Sequence, residues 1–207
     1  MLDLLPPTLP LDQGERLVSP DYKRSFREFR KTVRGVDSWK LERLQHFEEV
    51  ASPTREALRR GEWQEALRLF EGEREASVAT ARADAANGTA FRRIRVVEKP
   101  VTPYVQWELH WLRLRAEAGH PVRVLPASRV APAEVDEPLP ELTLLGGKVL
   151  FRVVYTAEGR PDGAFRFTDA AVVRGWEEYL RMLNAQAEDV REYFDREVAH
   201  LDPPPAA

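Results

Sequence analysis

Near residue 90 the spacing of apolar residues changes, and that change restricts the possible folds more than any other feature of the chain. Upstream, apolar positions recur at intervals of three and four. From residue 90 the segment "AFRRIRVVEK" alternates instead, placing Ile94 and Val96 on one face of a strand and Arg93 and Arg95 on the other. A chain that is helical first and strand-bearing afterwards is neither an all-α bundle nor an all-β sandwich. The pattern predicts an α+β fold: a helical N-terminal half packed on a small mixed sheet, ending in a long C-terminal helix.

Residues 1–20 read as an extended arm, because prolines at 6, 7, 10 and 20 oppose a regular helix. Residues 21–88 read as helical. "PDYKRSFREFRKTVRG" has Pro20 near its start and Gly35 after its end. "DSWKLERLQHFEEV" places Trp39, Arg43, Phe47 and Val50 on one helical face. Ser52-Pro53 starts a short helix that breaks at Gly61, and a single long helix over 62–86 carries Trp63, Leu67 and Phe70.

Residues 89–200 read as an α/β unit ordered strand, helix, strand, hairpin, strand, helix. The helix is "TPYVQWELHWLRLRAEAG", and the next strand is "PVRVLPA". The acidic, proline-rich "SRVAPAEVDEPLPE" reads as a mobile loop. Gly146-Gly147 marks a tight turn between "LTLLGG" and "KVLFRVVYT". After "AFRFTD", Asp169 caps one long final helix bearing Val173, Trp176, Leu180, Leu183, Ala187, Val190 and Phe194. Residues 201–207, "LDPPPAA", read as a disordered tail, and the remaining parts as one compact unit.

Composition narrows function mostly by exclusion. The 207 residues include no cysteine, so there is no disulfide framework, thiolate nucleophile or cysteine-bound metal. A net charge of −3 disfavours direct nucleic-acid binding. No apolar run approaches the roughly 20 residues that span a bilayer, and the N-terminus lacks a basic leader; the simplest reading is a cytoplasmic protein with no membrane association. The histidines at 46, 110, 120 and 200 lack metal-ligand spacing, and no GxSxG, Walker, HExxH or GxGxxG motif occurs. No catalytic residue, metal or cofactor is expected. "EALRRGEWQEALRLFEGE" is similar to one tetratricopeptide helix pair, but a single copy cannot build a solenoid.

Two features suggest a site. In the helix that starts at Thr102-Pro103, Tyr104, Trp107, Trp111, Leu114 and Ala118 form one apolar stripe, and Val105, Leu109, Leu112 and Ala116 a second. Gln106, His110, Arg113 and Glu117 form a polar strip that should face solvent or a polar neighbour, which makes His110 a surface histidine. Glu108 is out of place among bulky apolar groups. It is either a salt-bridge partner of a strand arginine or a binding or catalytic carboxylate. Arginine also alternates along four strands, at Arg93 and Arg95, Arg123, Arg152 and Arg166. If those strands are neighbours, the arginines can converge on one face and hold a phosphate, a carboxylate or a partner's acidic groups. Solvated strand faces, or ion pairs with Glu98, Glu108 and Glu141, are the competing explanation. The candidate ligand-binding set is Arg93, Arg95, Tyr104, Trp107, Glu108, Arg152 and Arg166. In it the arginines take the anion, Glu108 orients them and the aromatics wall the pocket.

"DSWKLERLQHFEE", "FRRIRVVEKPVTPYVQWEL" and "FRVVYTAEGRPDGAFRFTD" together resemble a family of actinobacterial proteins, the domain of unknown function numbered 6879, over roughly residues 10–200. Members are commonly encoded near small helix-turn-helix regulators, so the resemblance implies a regulatory context and a regulator as partner. The last third is also similar to phospholipase-D-like sensor domains, in which a strand hairpin precedes a helix that begins near an aspartate. The His-x-Lys-x4-Asp motif of the active enzymes is missing, which implies a catalytically inactive relative. The expectation is therefore a non-catalytic regulatory or adaptor protein that recognises an anionic small molecule or a protein partner, with homodimerisation open. The alternative is a hydrolase or phosphoryl-type enzyme using Glu108 with the arginine cluster.

Overall fold

The computed structural model describes residues 5–206, so residues 1–4 of the expected arm and residue 207 of the expected tail lie outside the described residues. An eight-stranded mixed sheet forms the centre, in the order β1-β7-β6-β5-β2-β3-β4-β8. The strands are β1 (Glu15–Leu17), β2 (Ser38–Glu42), β3 (Phe91–Val97), β4 (Val122–Pro126), β5 (Leu142–Leu145), β6 (Val149–Tyr155), β7 (Pro161–Phe167) and β8 (Glu188–Asp189). β2, β3 and β4 are parallel, and every other pairing is antiparallel. The helices are α1 (Ser19–Thr32), α2 (Pro53–Arg59), α3 (Trp63–Glu71), α4 (Arg74–Ala86), α5 (Pro103–Glu117), α6 (Ala127–Val130), α7 (Ala170–Gln186) and α8 (Val190–Glu197). Among the described residues no helix is long and apolar enough to cross a membrane.

The α+β architecture agrees with the change of periodicity, but its boundary does not fall at residue 88. β2 occupies part of the segment read as a helix, and it lies in the middle of the sheet between β3 and β5. Trp39 and Leu41 point to one face, while Lys40 and Glu42 point to the other. Two-sided pairing outweighed the helical spacing of Trp39, Arg43, Phe47 and Val50. Val50, placed in that stripe, is 71% exposed. The arm also contributes structure, since Glu15–Leu17 pairs antiparallel with β7.

Two long helices are each divided. The expected helix over 62–86 breaks at Gly72 into α3 and α4. The final helix stops where Ala187 turns extended, and Asp189 caps a new helix by accepting from Arg191 N. Between them β8 pairs with the outer edge of β4, which carries the chain from one face of the sheet to the other. Val173, Trp176, Leu180, Leu183 and Ala187 thus pack with Trp39, Leu41, Ile94 and Val96. Val190 and Phe194 pack on the opposite face with α5 and α3. α1 covers the other end of that second face, setting Tyr22 and Phe29 edge-on against Phe151.

The Gly146-Gly147 turn is as expected, with φ of 53° and 64°, and it closes the β5–β6 hairpin. The segment expected to be a mobile loop is pinned. Val130, Ala133 and Leu139 are buried, and Arg43 makes a two-pronged pair with Glu134 at 2.6 and 2.9 Å. The tail expected to be disordered lies on the body of the protein: Gln106 Nε2 donates to the Asp202 carbonyl at 2.8 Å, and Pro204 is buried.

Candidate functional site

Chain direction locates the main crevice. From β2 the chain moves through β3 and β4 by crossovers on one side of it. It then returns through 127–141 to β5, on the other side of β2. Open sheets containing parallel strands leave a crevice at the carboxyl ends of those strands where connections diverge in this way. A cavity of about 930 Å³ lies there, walled by the segment after β2, the start of α5, the 137–141 segment and the end of β6. That volume is within the range of small-molecule sites. Leu44, Pro103, Pro138, Leu139, Pro140 and Val153 give it a largely apolar lining, and His46, Arg55, Tyr104, Glu141, Arg152 and Tyr155 supply polar groups.

Glu141 is the most unusual of these. It is 6% exposed at the head of β5. Its Oε1 accepts from the Arg43 and Leu44 backbone N–H groups, both at 2.6 Å, while its Oε2 has no hydrogen-bond partner among the described residues. Burial, reinforced by the nearby Glu42 charge, outweighs the two backbone donors and pushes the Glu141 carboxyl up to about 7. Tyr104 donates its hydroxyl to Glu49 Oε1 at 3.1 Å, and burial raises its phenol far above the ordinary range. Arg55 lies over the Tyr104 ring at 5.6 Å and His46 meets the ring edge-on at 5.3 Å. Arg152 is held loosely, 3.6 Å from the exposed Glu137.

The arginines do not converge. Registered residues share a face, and Arg152 is in register with Leu142 and Phe165, on the same side as Leu41 and Ile94. Arg123, opposite Ile94, is also on that side, where it caps the end of α7 by donating to the Asn184 and Ala187 carbonyls. Arg93, Arg95 and Arg166 occupy the other face. Four strand spacings separate Arg166 from Arg93, about 19 Å at roughly 4.8 Å per strand. Arg166 pairs with Glu15 and donates to Ser25 Oγ.

What does come together is a buried ionic network beneath α5. Arg95, with no exposed surface, donates Nε to Glu108 Oε2 at 2.7 Å and Nη1 to the Glu42 and Val96 carbonyls. Glu108 thus has the strand-arginine partner that its position suggested. Arg93 donates to both oxygens of Glu42 at 2.7 and 2.6 Å, and Lys40 approaches the same carboxylate at 2.5 Å. Burial alone would raise the Glu42 carboxyl, but Arg93, Lys40 and Arg95 hold it down to about 2. Burial pushes the Glu108 carboxyl up, and Arg95 opposes it. Arg93, Tyr104, Trp107 and Glu108 line a second cavity of about 300 Å³, where Trp107 packs against Phe70 and Tyr104.

His110 is not a surface histidine. Its ring meets Trp63 and Phe194 edge-on at 5.0 and 4.6 Å, and burial, aided by Arg113, pushes it down to about 4. Within the strip expected to meet solvent or a polar neighbour, His110 faces α3 and α8 and Gln106 is buried, while Arg113 and Glu117 stay at the surface and pair with each other.

A family model described as a domain of unknown function, DUF6879, matches residues 21–195. The chain belongs to the DUF6879 family. The DUF6879 match runs from α1 into α8 and takes in every residue lining the crevice except Leu11. No curated protein matches the chain. Among the described residues no group of three or more His, Asp or Glu is placed to hold a metal ion.

Of the predicted set, only Tyr104 and Arg152 line the main crevice. Sequence reasoning missed Glu141 as a site residue, although a signal existed: a lone carboxylate directly heads "LTLL", a strand buried at all four positions. Arg55 and His46 gave no comparable signal.

Proposed function

We propose that this chain is a cytoplasmic regulatory or adaptor protein that recognises a small ligand with an apolar body and one acidic group, bound in the crevice between β2 and β5. The observation that carries this reading is the makeup of the wall: a mostly apolar lining into which Arg55, Arg152 and the amino end of α5 bring positive potential. Glu137 is exposed and only 3.6 Å from Arg152, so an incoming carboxylate, sulfonate or phosphate can replace it. Below about pH 7 Glu141 is protonated and no longer sets a negative charge behind the same wall. The regulatory setting, with a helix-turn-helix regulator as protein partner, draws on the family resemblance alone. An enzyme built on Glu108 would need that carboxylate and two arginines facing open space. Arg95 instead takes up Glu108, and only Arg93 shares its cavity.

8-Anilinonaphthalene-1-sulfonate, an apolar anion, is a suitable probe. Fluorescence titration should give about tenfold weaker binding to Arg152→Glu, equivalent to ~1.4 kcal/mol. Ala157→Trp, at an exposed position on the rim, should abolish binding. Wild-type affinity in both variants would refute the assignment.

A further inference from the structure

We infer a second, separate binding site between α1 and the sheet, suited to a phosphate joined to a planar ring, as in a mononucleotide. A cavity of about 300 Å³ opens there and shares no lining residue with the crevice at β2 and β5. Its cations come from two layers: Lys23 and Arg27 from α1, Lys40 from β2 and Arg93 from β3. Among the described residues no carboxylate lines it. Aromatic side chains, Phe26 and Phe91 with Tyr22, form the remaining walls. Cations beside flat apolar rings are the combination by which proteins hold a phosphate and stack the attached base.

The positive charge is not consumed within the fold. Lys40 and Arg93 lie between this cavity and the neighbouring one and line both; they share a single carboxylate, Glu42, which lines only the neighbouring cavity. Lys23 and Arg27 make no ion pair among the described residues, and both are exposed. They stand four residues apart on α1, and Lys31 continues the same spacing. Like charges at that interval destabilise a helix, so the stability of α1 does not explain them. The neighbouring Glu42 reports the local field. Burial favours its neutral form, yet Arg93 and Lys40 prevail and keep it ionised to about pH 2. All this occurs in a chain whose net charge is −3.

Isothermal titration of adenosine 5′-monophosphate into the full chain tests the site. The expected result is one equivalent bound, at least tenfold weaker in the K23E/R27E double variant and several-fold weaker when salt rises from about 50 to about 500 mM. Both substitutions are on the exposed surface, and an unchanged melting temperature shows that the fold is intact. Inorganic phosphate and adenosine should each bind at least tenfold more weakly than the nucleotide. Ala157→Trp, which closes the other crevice, should bind the nucleotide as wild type does, so failure of one site is distinguishable from failure of the other. No heat at millimolar nucleotide, or wild-type affinity in K23E/R27E, would overturn the site. Phosphate binding as tightly as the nucleotide would overturn the role of the ring.

Discussion

Glu42 interacts electrostatically with both Glu108 and Glu141, and each of the three is buried in a different state. Glu42 is ionised by surplus cations, Glu108 is matched to one arginine, and Glu141 titrates near neutrality. Replacing Glu108 by Leu takes from the buried Arg95 the carboxylate it pairs with directly and should cost about 3–5 kcal/mol. The Arg95→Met/Glu108→Leu double variant should recover most of that loss in urea denaturation. Glu141 gives a signed pH effect. Its folded carboxyl titrates at about 7 against an ordinary 4.5, so the folded state holds more protons between those values and stability falls as pH rises through them, by on the order of 3 kcal/mol in all. His110 acts the other way. Its folded ring titrates at about 4 against an ordinary 6.5, so its contribution is lost as pH falls through that window. The two slopes oppose each other between pH 4.5 and 6.5. Glu141→Gln should therefore unmask a stability that climbs with pH across that range, and His110→Phe one that declines, both read from urea midpoints. Glu108 was legible in the sequence because a carboxylate in an aromatic helix needs a partner. His110 was not, because periodicity cannot say whether a polar strip meets water or another helix.

At the scale of elements, β3, α5, the β5–β6 hairpin and the Asp169 cap were legible because each has its own local signal: alternation, a Thr-Pro start, paired glycines or a capping aspartate. β2 was hidden because its five residues gain their strand character from neighbours on both sides. The division of α7 from α8 had a local sign, Asp189, but the two helices bury the same spaced apolar residues on opposite faces of the sheet. Gly163 controls how the arm joins. Its φ is +102°, and a Cβ there would sit 2.0 Å from the Leu17 carbonyl oxygen. Gly163→Ala should detach β1 from β7 at a cost of about 1–3 kcal/mol. Hydrogen exchange should show protection lost at 15–17 while β2, β3 and β4 keep theirs.

For the whole molecule, the crevice depends on strand order, which no single segment encodes. Tyr104 is far in sequence from Glu141 and Arg152, which share the β5–β6 hairpin, and it meets them because the chain turns back across the carboxyl ends of β2 and β3. The same order splits the arginines that alternation alone suggested would cluster. Mass spectrometry of organic extracts from the purified chain tests the central claim of a ligand crevice most directly. The expected result is an acidic, largely apolar small molecule released from the wild type and depleted from both Ala157→Trp and Arg152→Glu. An extract without such a species, or one equally rich in all three proteins, would contradict the crevice as the ligand site.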